Sequence, residues 1–441
     1  MIGTFRSFSF DKAIGLSIGF LVGVMPVAEY NVPVLIVLMS VVFGIKHVDR
    51  QAVKAAFPII LYCVSMIGFM TYHPGWLESD QTLAKILATI ALAAVPMVAM
   101  FKIYVGSVER IETAALVGLL TIFTIMAYQY LILNGCRVKA FSVNPLGPPI
   151  TFLPFAMYVI SVRAFARRFN FLDGLVLVSL FIALGAFAGA RASFYSVTLL
   201  SIILVTFLFF NMKIRQGLFV FACLGLGIWG AFSIDKCNAF KRMSSHIQLL
   251  KIYMPVEIVA PKMAEEEASR VENQIPTQRT MSSTEQLSKN TQPNISLEKT
   301  PEISNVIDKV NTAQAIDLSS GYRAQKWSNA IDHLLQRNQL SEILFGSGRL
   351  VESSLSMQFP DVHNQYLSWL VSTGVVGFLV AFLMFMPALR QLFINPAIFL
   401  FLSGCAIGYI TDSSMYRKDT TAQFLIMLLF VQSLLGQRRR N

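Results

Sequence analysis

Apolar residues come in long runs along this chain, near 13–28, 32–46, 52–72, 82–101, 112–133, 148–165, 171–188, 193–211, 217–233, 365–387, 394–410 and 421–435. A helix needs about 20 apolar residues to cross a bilayer core, so the longer runs read as spans and the shorter ones as less regular crossings. The first two runs are also compatible with one bent hairpin. Polar residues are confined to short links, except for one long polar stretch at 234–364. The pattern predicts an all-α polytopic membrane protein with about 12 transmembrane helices. Helices 1–9 would occupy 1–233, one large loop 234–364, and helices 10–12 the remainder, 365–441.

Composition agrees with that pattern. Of 441 residues, 55% are hydrophobic and 14% charged, against about 25% charged in soluble domains. The N-terminus lacks a small-residue cleavage site, and further spans follow the first, so no cleavable signal peptide is expected. A net charge of +11 suggests nucleic acid at first, but its distribution argues for topology instead. Arg6 and Lys12, then Lys46, Arg50 and Lys54, then Lys102 and Arg110, fall in alternate links. So do Arg163, Arg167 and Arg168, Lys213 and Arg215, Arg390, and Arg438–Arg440. Basic residues mark cytoplasmic loops. Both termini are therefore expected in the cytoplasm, with the long loop outside, in the periplasm.

The loop is uneven. Residues 260–318 are rich in Glu, Ser, Thr, Asn, Gln and Lys, cannot bury enough apolar area to offset their ordering entropy, and are expected to be disordered. A helix is predicted over 319–338, capped by Ser319 or Ser320, with Trp327, Ile331, Leu334 and Leu335 on one face. Phe345-Gly346-Ser347-Gly348 should form a turn, and 244–253 a second short amphipathic helix. Cys63, Cys223 and Cys405 lie in apolar runs and read as small core residues. Cys136 and Cys237 both fall on the outer side, where pairing is open. Neither cysteines nor histidines show metal-ligand spacing, and no cofactor motif is present.

Candidate chemistry clusters on the outer side. Arg191 sits in the short link Gly189-Ala190-Arg191-Ala192-Ser193, at or inside the membrane boundary, where an arginine faces a cavity or partner, or else snorkels to water. Arg323 lies in the first turn of the predicted loop helix, where an anion would gain from the guanidinium and from free backbone N–H groups together. Alone it reads as a solvated surface charge. His363 precedes the tenth span and can exchange protons near neutral pH, or simply cap or anchor the helix. Arg137, Lys139 and Arg349 are further external cations that could sit near an anionic substrate, as are Arg417 and Lys418. Asn364 is a further polar group beside His363. His333 is a weaker candidate because it falls in mid-helix.

The array Ser320-Gly321-Tyr322-Arg323-…-Trp327-…-Ala330, then Leu344-Phe345-Gly346-Ser347-Gly348, then His363-Asn364-…-Tyr366-Leu367-…-Gly374-…-Gly377, resembles the O-antigen ligase / O-antigen polymerase superfamily. The motifs cover about 187–200 and 319–380, and the predicted topology covers nearly the whole chain. The resemblance implies an inner-membrane glycosyltransferase that uses a glycan on undecaprenyl diphosphate. The acceptor would be a lipid A core sugar for a ligase, or a growing glycan for a polymerase. Arg191 and Arg323 would hold the diphosphate and His363 would act on the acceptor hydroxyl, with neither metal nor nucleotide cofactor. The stretch 260–318 departs from a compact family loop. A transporter or flippase of lipid-linked sugars is the reading from another class, but the predicted spans carry almost no ionisable residues.

Overall fold

The computed structural model describes residues 10–25, 31–73, 75–104, 108–134, 147–188, 191–236, 326–349, 351, 364–411, 414–416 and 418–438. Among them all regular structure is helical. Twelve elements follow the apolar runs or the links between them, in this order: α1 (Phe10–Val24), α2 (Asn31–Gly44), α3 (Arg50–Tyr72), the short α4 (Trp76–Ser79), α5 (Gln81–Tyr104), α6 (Val108–Leu131), α7 (Gly147–Phe165), α8 (Phe171–Ile182), α9 (Arg191–Phe210), α10 (Ile214–Ile234), α11 (326–335) and α12 (Leu340–Phe345). The chain continues through α13 (Gln365–Leu383), the short α14 (Met386–Leu389), α15 (Pro396–Thr411) and α16 (Lys418–Arg438).

Of these, Arg50–Tyr72, Gln81–Tyr104, Ile111–Leu131, Ser193–Phe210, Ile214–Ile234 and Gln365–Leu383 are long and apolar enough to cross a membrane. Shorter apolar helices occupy Asn31–His47, Leu153–Phe165, Phe171–Phe187, Pro396–Ile410 and Thr420–Leu434. Large apolar side chains point outward from several helices, including Val64, Leu92, Phe221 and Trp229. In water such a surface would drive association; against lipid it is the solvated face.

Local sequence explains where the helices start. The Asp49 carboxylate accepts from Ala52 N–H at 2.6 Å and caps α3. Asn170 and Asp173 form a reciprocal capping box at α8. Helix α1 packs on α6 through Gly19 and Gly23, where a Cβ on Gly19 would come within 2.6 Å of Ile111 O. A small-residue stripe of this kind lets two backbones approach closely in lipid. Helix α16 lies in the middle of the bundle, buried from Thr420 to Leu434, against α5, α3 and α7. Its apolar residues have no polar face to separate them, as expected of an enclosed helix.

Helix α8 does not end cleanly. Ala183–Phe187 form a π-helical turn closed by Ala188 N–H to Ala183 O at 2.8 Å, just ahead of the Gly189-Ala190-Arg191 link. Such turns shift the following chain by one residue relative to an α-helix and recur near functional sites.

At the other end of α8, Arg163 of α7 and Asp173 form a buried ion pair, Nε to Oδ1 at 2.5 Å and Nη2 to Oδ2 at 3.2 Å, with both side chains almost wholly enclosed. Thr113 of α6 accepts from Arg163 Nη1 at 3.1 Å. Removing one partner strands the other charge. Asp173→Ala should therefore lower stability in detergent by about 3–5 kcal/mol, while replacing both partners with apolar residues (Arg163→Met with Asp173→Leu) should recover most of it. Thermal unfolding of the purified variants checks both outcomes.

Candidate active site

The first half of α13 is set off by a break. Gly374 stands at φ 65°, ψ −165° inside the helix, a region open to essentially no residue but glycine. The break exposes the last carbonyls of the preceding half-helix, 365–373. Those carbonyls are then met from the 326–349 segment. Ser347 N–H donates to Val371 O at 2.8 Å and Gly348 N–H to Ser372 O at 3.1 Å. Arg337 donates from Nη1 to Leu370 O at 2.9 Å and from Nη2 to Val371 O at 2.6 Å, and also reaches Glu342 O at 3.2 Å. The contact is backbone on backbone: a Cβ on Gly346 or on Gly374 would meet main-chain atoms of the opposite segment at 2.5 Å.

The same half-helix is held at its start and along its flank. Asn364 caps it, its side-chain oxygen accepting from Tyr366 N–H at 3.1 Å and Leu367 N–H at 3.2 Å. Gln365 Oε1 accepts from Met415 N–H at 2.7 Å. Ser372 Oγ bonds the Tyr416 hydroxyl, which also donates to Ser368 O at 3.3 Å. Helix α11 lies on it through Trp327, Ala330 and Leu334, which pack with Val371 and Leu367.

Around this core lie further polar groups from separate parts of the chain. Arg349 pairs with Asp80 at 3.3 Å, donates to Tyr416 O at 3.2 Å and stacks over the Tyr416 ring at 4.9 Å. His73 Nε2 is 3.1 Å from Phe345 O, and its ring lies against Gly348. His333 Nε2 is 3.0 Å from Ser347 Oγ. Trp76 Nε1 and Gln365 Nε2 are buried donors with no protein partner. Buried donors cost free energy unless something accepts from them, so they are available to water or to a substrate oxygen. Among the described residues no His, Cys, Asp and Glu group is arranged to hold a metal ion.

The residues singled out in the sequence fare unevenly. Arg349 is brought into the cluster, but its guanidinium is already engaged by Asp80 and Tyr416, which makes it a clamp between segments before it is an anion site. Asn364 is the helix cap and is largely buried. Arg191 begins α9, directly after the π turn and its link; only its backbone is described. Arg137, Lys139, Arg323 and His363 lie outside the described residues, as do 260–318, the 244–253 segment, Cys136 and Cys237, and the first turns of the 319–338 helix. His363 is nevertheless the residue before Asn364, so the capped end of α13 is its covalent anchor.

Two details depart from expectation. Ile331 and Leu335 are exposed, and the inward stripe is Trp327, Ala330 and Leu334 instead. The small Ala330 is what lets α11 lie close to α13, rotating the larger neighbours outward. His333, Arg337 and the buried Lys326 also belong to this region. Arg337 had no sequence signal, because an arginine after a helix reads as a solvated charge until its acceptors are known.

Residues 174–382 match a family model described as O-antigen ligase. Over this stretch the chain is similar to O-antigen ligases. That stretch runs from α8 through the broken helix and includes the motifs from which the resemblance to the O-antigen ligase/polymerase superfamily was read. No curated protein matches the chain significantly.

Burial of His333 and the neighbouring Arg337 charge hold its imidazole below the usual histidine range, with Glu342 opposing weakly. The folded state thus favours neutral His333, so this contribution is complete above the unfolded value of about 6.5 and is lost as pH falls through it toward the folded value. Protection of 326–349 against hydrogen exchange, relative to intrinsic amide rates, should fall below about pH 6.5, and His333→Gln should flatten that dependence. Gly374→Ala forces both a forbidden backbone angle and a collision, and should cost about 1–3 kcal/mol or more, read as a lower unfolding midpoint with earlier proteolysis of 326–349.

Proposed function

We propose that this protein is an O-antigen ligase-like glycosyltransferase, moving a glycan from undecaprenyl diphosphate to a lipid A core sugar. The observation that carries the reading is the match to an O-antigen ligase family model over 174–382, a stretch that includes Arg191, Arg323, His363 and Asn364. In this reading the protein is a multi-pass protein of the bacterial inner membrane with about 12 spans and both termini in the cytoplasm. The 234–364 loop and the reaction are on the periplasmic face. The uneven placement of basic residues among the links supports that orientation.

The reaction breaks the bond between the anomeric carbon and the diphosphate oxygen and forms a glycosidic bond to the acceptor hydroxyl oxygen. Arg191 and Arg323 would bind the diphosphate and stabilise its growing charge as it leaves, most effectively where water is excluded. His363 would take the hydroxyl proton, a role worth about 10²–10⁴-fold. Arg137, Lys139 and Arg349 would add positive charge around the donor. Arg349 could do so only by exchanging Asp80 for phosphate oxygens. A polymerase of the same superfamily would use the same donor chemistry and transfer to a growing glycan. The ligase reading is preferred on the strength of the His363-Asn364 and Arg323-Trp327 fragments.

Cells lacking the protein should show no long-chain lipopolysaccharide while polymerised glycan stays on the lipid carrier. Single repeat units on the core would instead identify an O-antigen polymerase, and an unchanged lipopolysaccharide pattern would mean another glycan pathway, such as that of an exopolysaccharide polymerase, or refute the transferase reading. His363→Ala and Arg323→Ala should each abolish transfer with normal protein levels in the membrane. Transport of lipid-linked sugar that survives His363→Ala and Arg191→Ala would favour a carrier.

A further inference from the structure

We propose that Arg337 is the positioning residue for His363, acting through the broken helix; this inference rests on the catalytic role given to His363 above. The half-helix 365–373 is roughly 13 Å long at about 1.5 Å per residue. His363 is attached, through Asn364, to its N-terminal end. Its C-terminal end is the break at Gly374. In a continuous helix the carbonyls of Leu370 and Val371 would bond amides one turn further on. Here they accept from the Arg337 fork at 2.9 and 2.6 Å.

A guanidinium suits this place for reasons specific to it. Only a planar fork can reach two successive carbonyls and a third, Glu342 O, from one side chain. Its positive charge lies at the negative end of the half-helix dipole, where a cation is favoured. Arg337 is 8% exposed, its Nε has no partner, and no carboxylate lies within ion-pair distance of it among the described residues. A buried cation held almost entirely by main-chain carbonyls is expensive in desolvation, so it is retained where it specifies geometry. The remaining contacts act in the same sense. His333 holds Ser347, Ser347 and Gly348 bond Val371 and Ser372, and Tyr416 and Met415 hold the flank.

Arg337 also follows α11, the helix whose preceding residues include Arg323. One side chain therefore ties the 326–349 segment to the 365–373 half-helix. Loss of the clamp lets the half-helix shift along its axis without unfolding, because the Trp327, Ala330 and Val371 packing survives. A displacement near 1 Å at a catalytic group costs about 100-fold in rate.

The test uses the full-length enzyme in proteoliposomes, with undecaprenyl-diphosphate-linked glycan as donor and lipid A core as acceptor. Arg337→Met keeps length and apolar bulk but no donors. It should lower kcat about tenfold to 100-fold while donor KM changes by no more than about threefold. Arg337→Lys should recover part of the loss. In Arg337→Ala, added guanidinium should raise turnover, which a general stabilising role would not produce and which keeps the test open if the Met variant misfolds. Wild-type kcat in folded Arg337→Met, or no response to Lys and guanidinium, would overturn the proposal. If His363→Ala is inactive and Arg337→Met is fully active, the positioning role alone fails. If His363→Ala remains active, the catalytic reading fails and this inference with it.

Discussion

A helix interrupted by Gly374 is the constraint on which the packing of the 326–349 segment depends. An unbroken α13 would consume its own carbonyls and leave nothing for that segment to bond. The break releases the carbonyls of Leu370, Val371 and Ser372, and buried carbonyls must find donors. Arg337, Ser347 and Gly348 supply them. The glycines at 346 and 374 are then required twice, by backbone angle and by the absence of a Cβ at a main-chain crossing.

This arrangement gathers polar groups around the 365–373 half-helix. The half-helix 365–373 is lined by Gln365, Ser368 and Ser372, all buried, and their partners come from the 414–416 turn. Arg349 extends the network to Asp80 in the link after α4. Elements distant in sequence thus meet through hydrogen bonds around the 365–373 half-helix, whereas the described residues elsewhere are joined mostly by apolar packing, with an enclosed ion pair near α8. Glycosyl transfer from a lipid diphosphate would need such a division: a site that water can reach for an acceptor sugar, with a donor whose lipid stays in the bilayer.

The resemblance motifs acquire different physical meanings in the fold. Gly346, Gly348 and Gly374 look like a scattered pattern in sequence and are one docking interface in space, while Gly377 makes room for Thr373 and Phe69. Asn364 is the N-cap, which frees His363 from the capping role that its position alone allowed. Trp327 and Ala330 are the packing face of α11. Arg349 is a clamp. The residues carried over as catalytic stand beside this scaffold in sequence: His363 before the cap, Arg323 before α11, Arg191 after the π turn.

The sequence by itself determined an all-helical class with helices apolar enough to cross a membrane, the approximate limits of those described, and the family motifs. These follow from hydrophobic run length, charge placement and local turn chemistry, which act over a few residues. It misjudged the buried face of the 326–335 helix, because that face depends on which neighbour lies against it: Ala330 approaches α13 and Ile331 turns away. Only the tertiary structure decided that Arg337 is buried, that α13 is two half-helices with paired ends, and that His73, Asp80 and Tyr416 join the same region. Each is a contact between segments remote in sequence, and a carbonyl freed by a break has no signature until the donor that meets it is known.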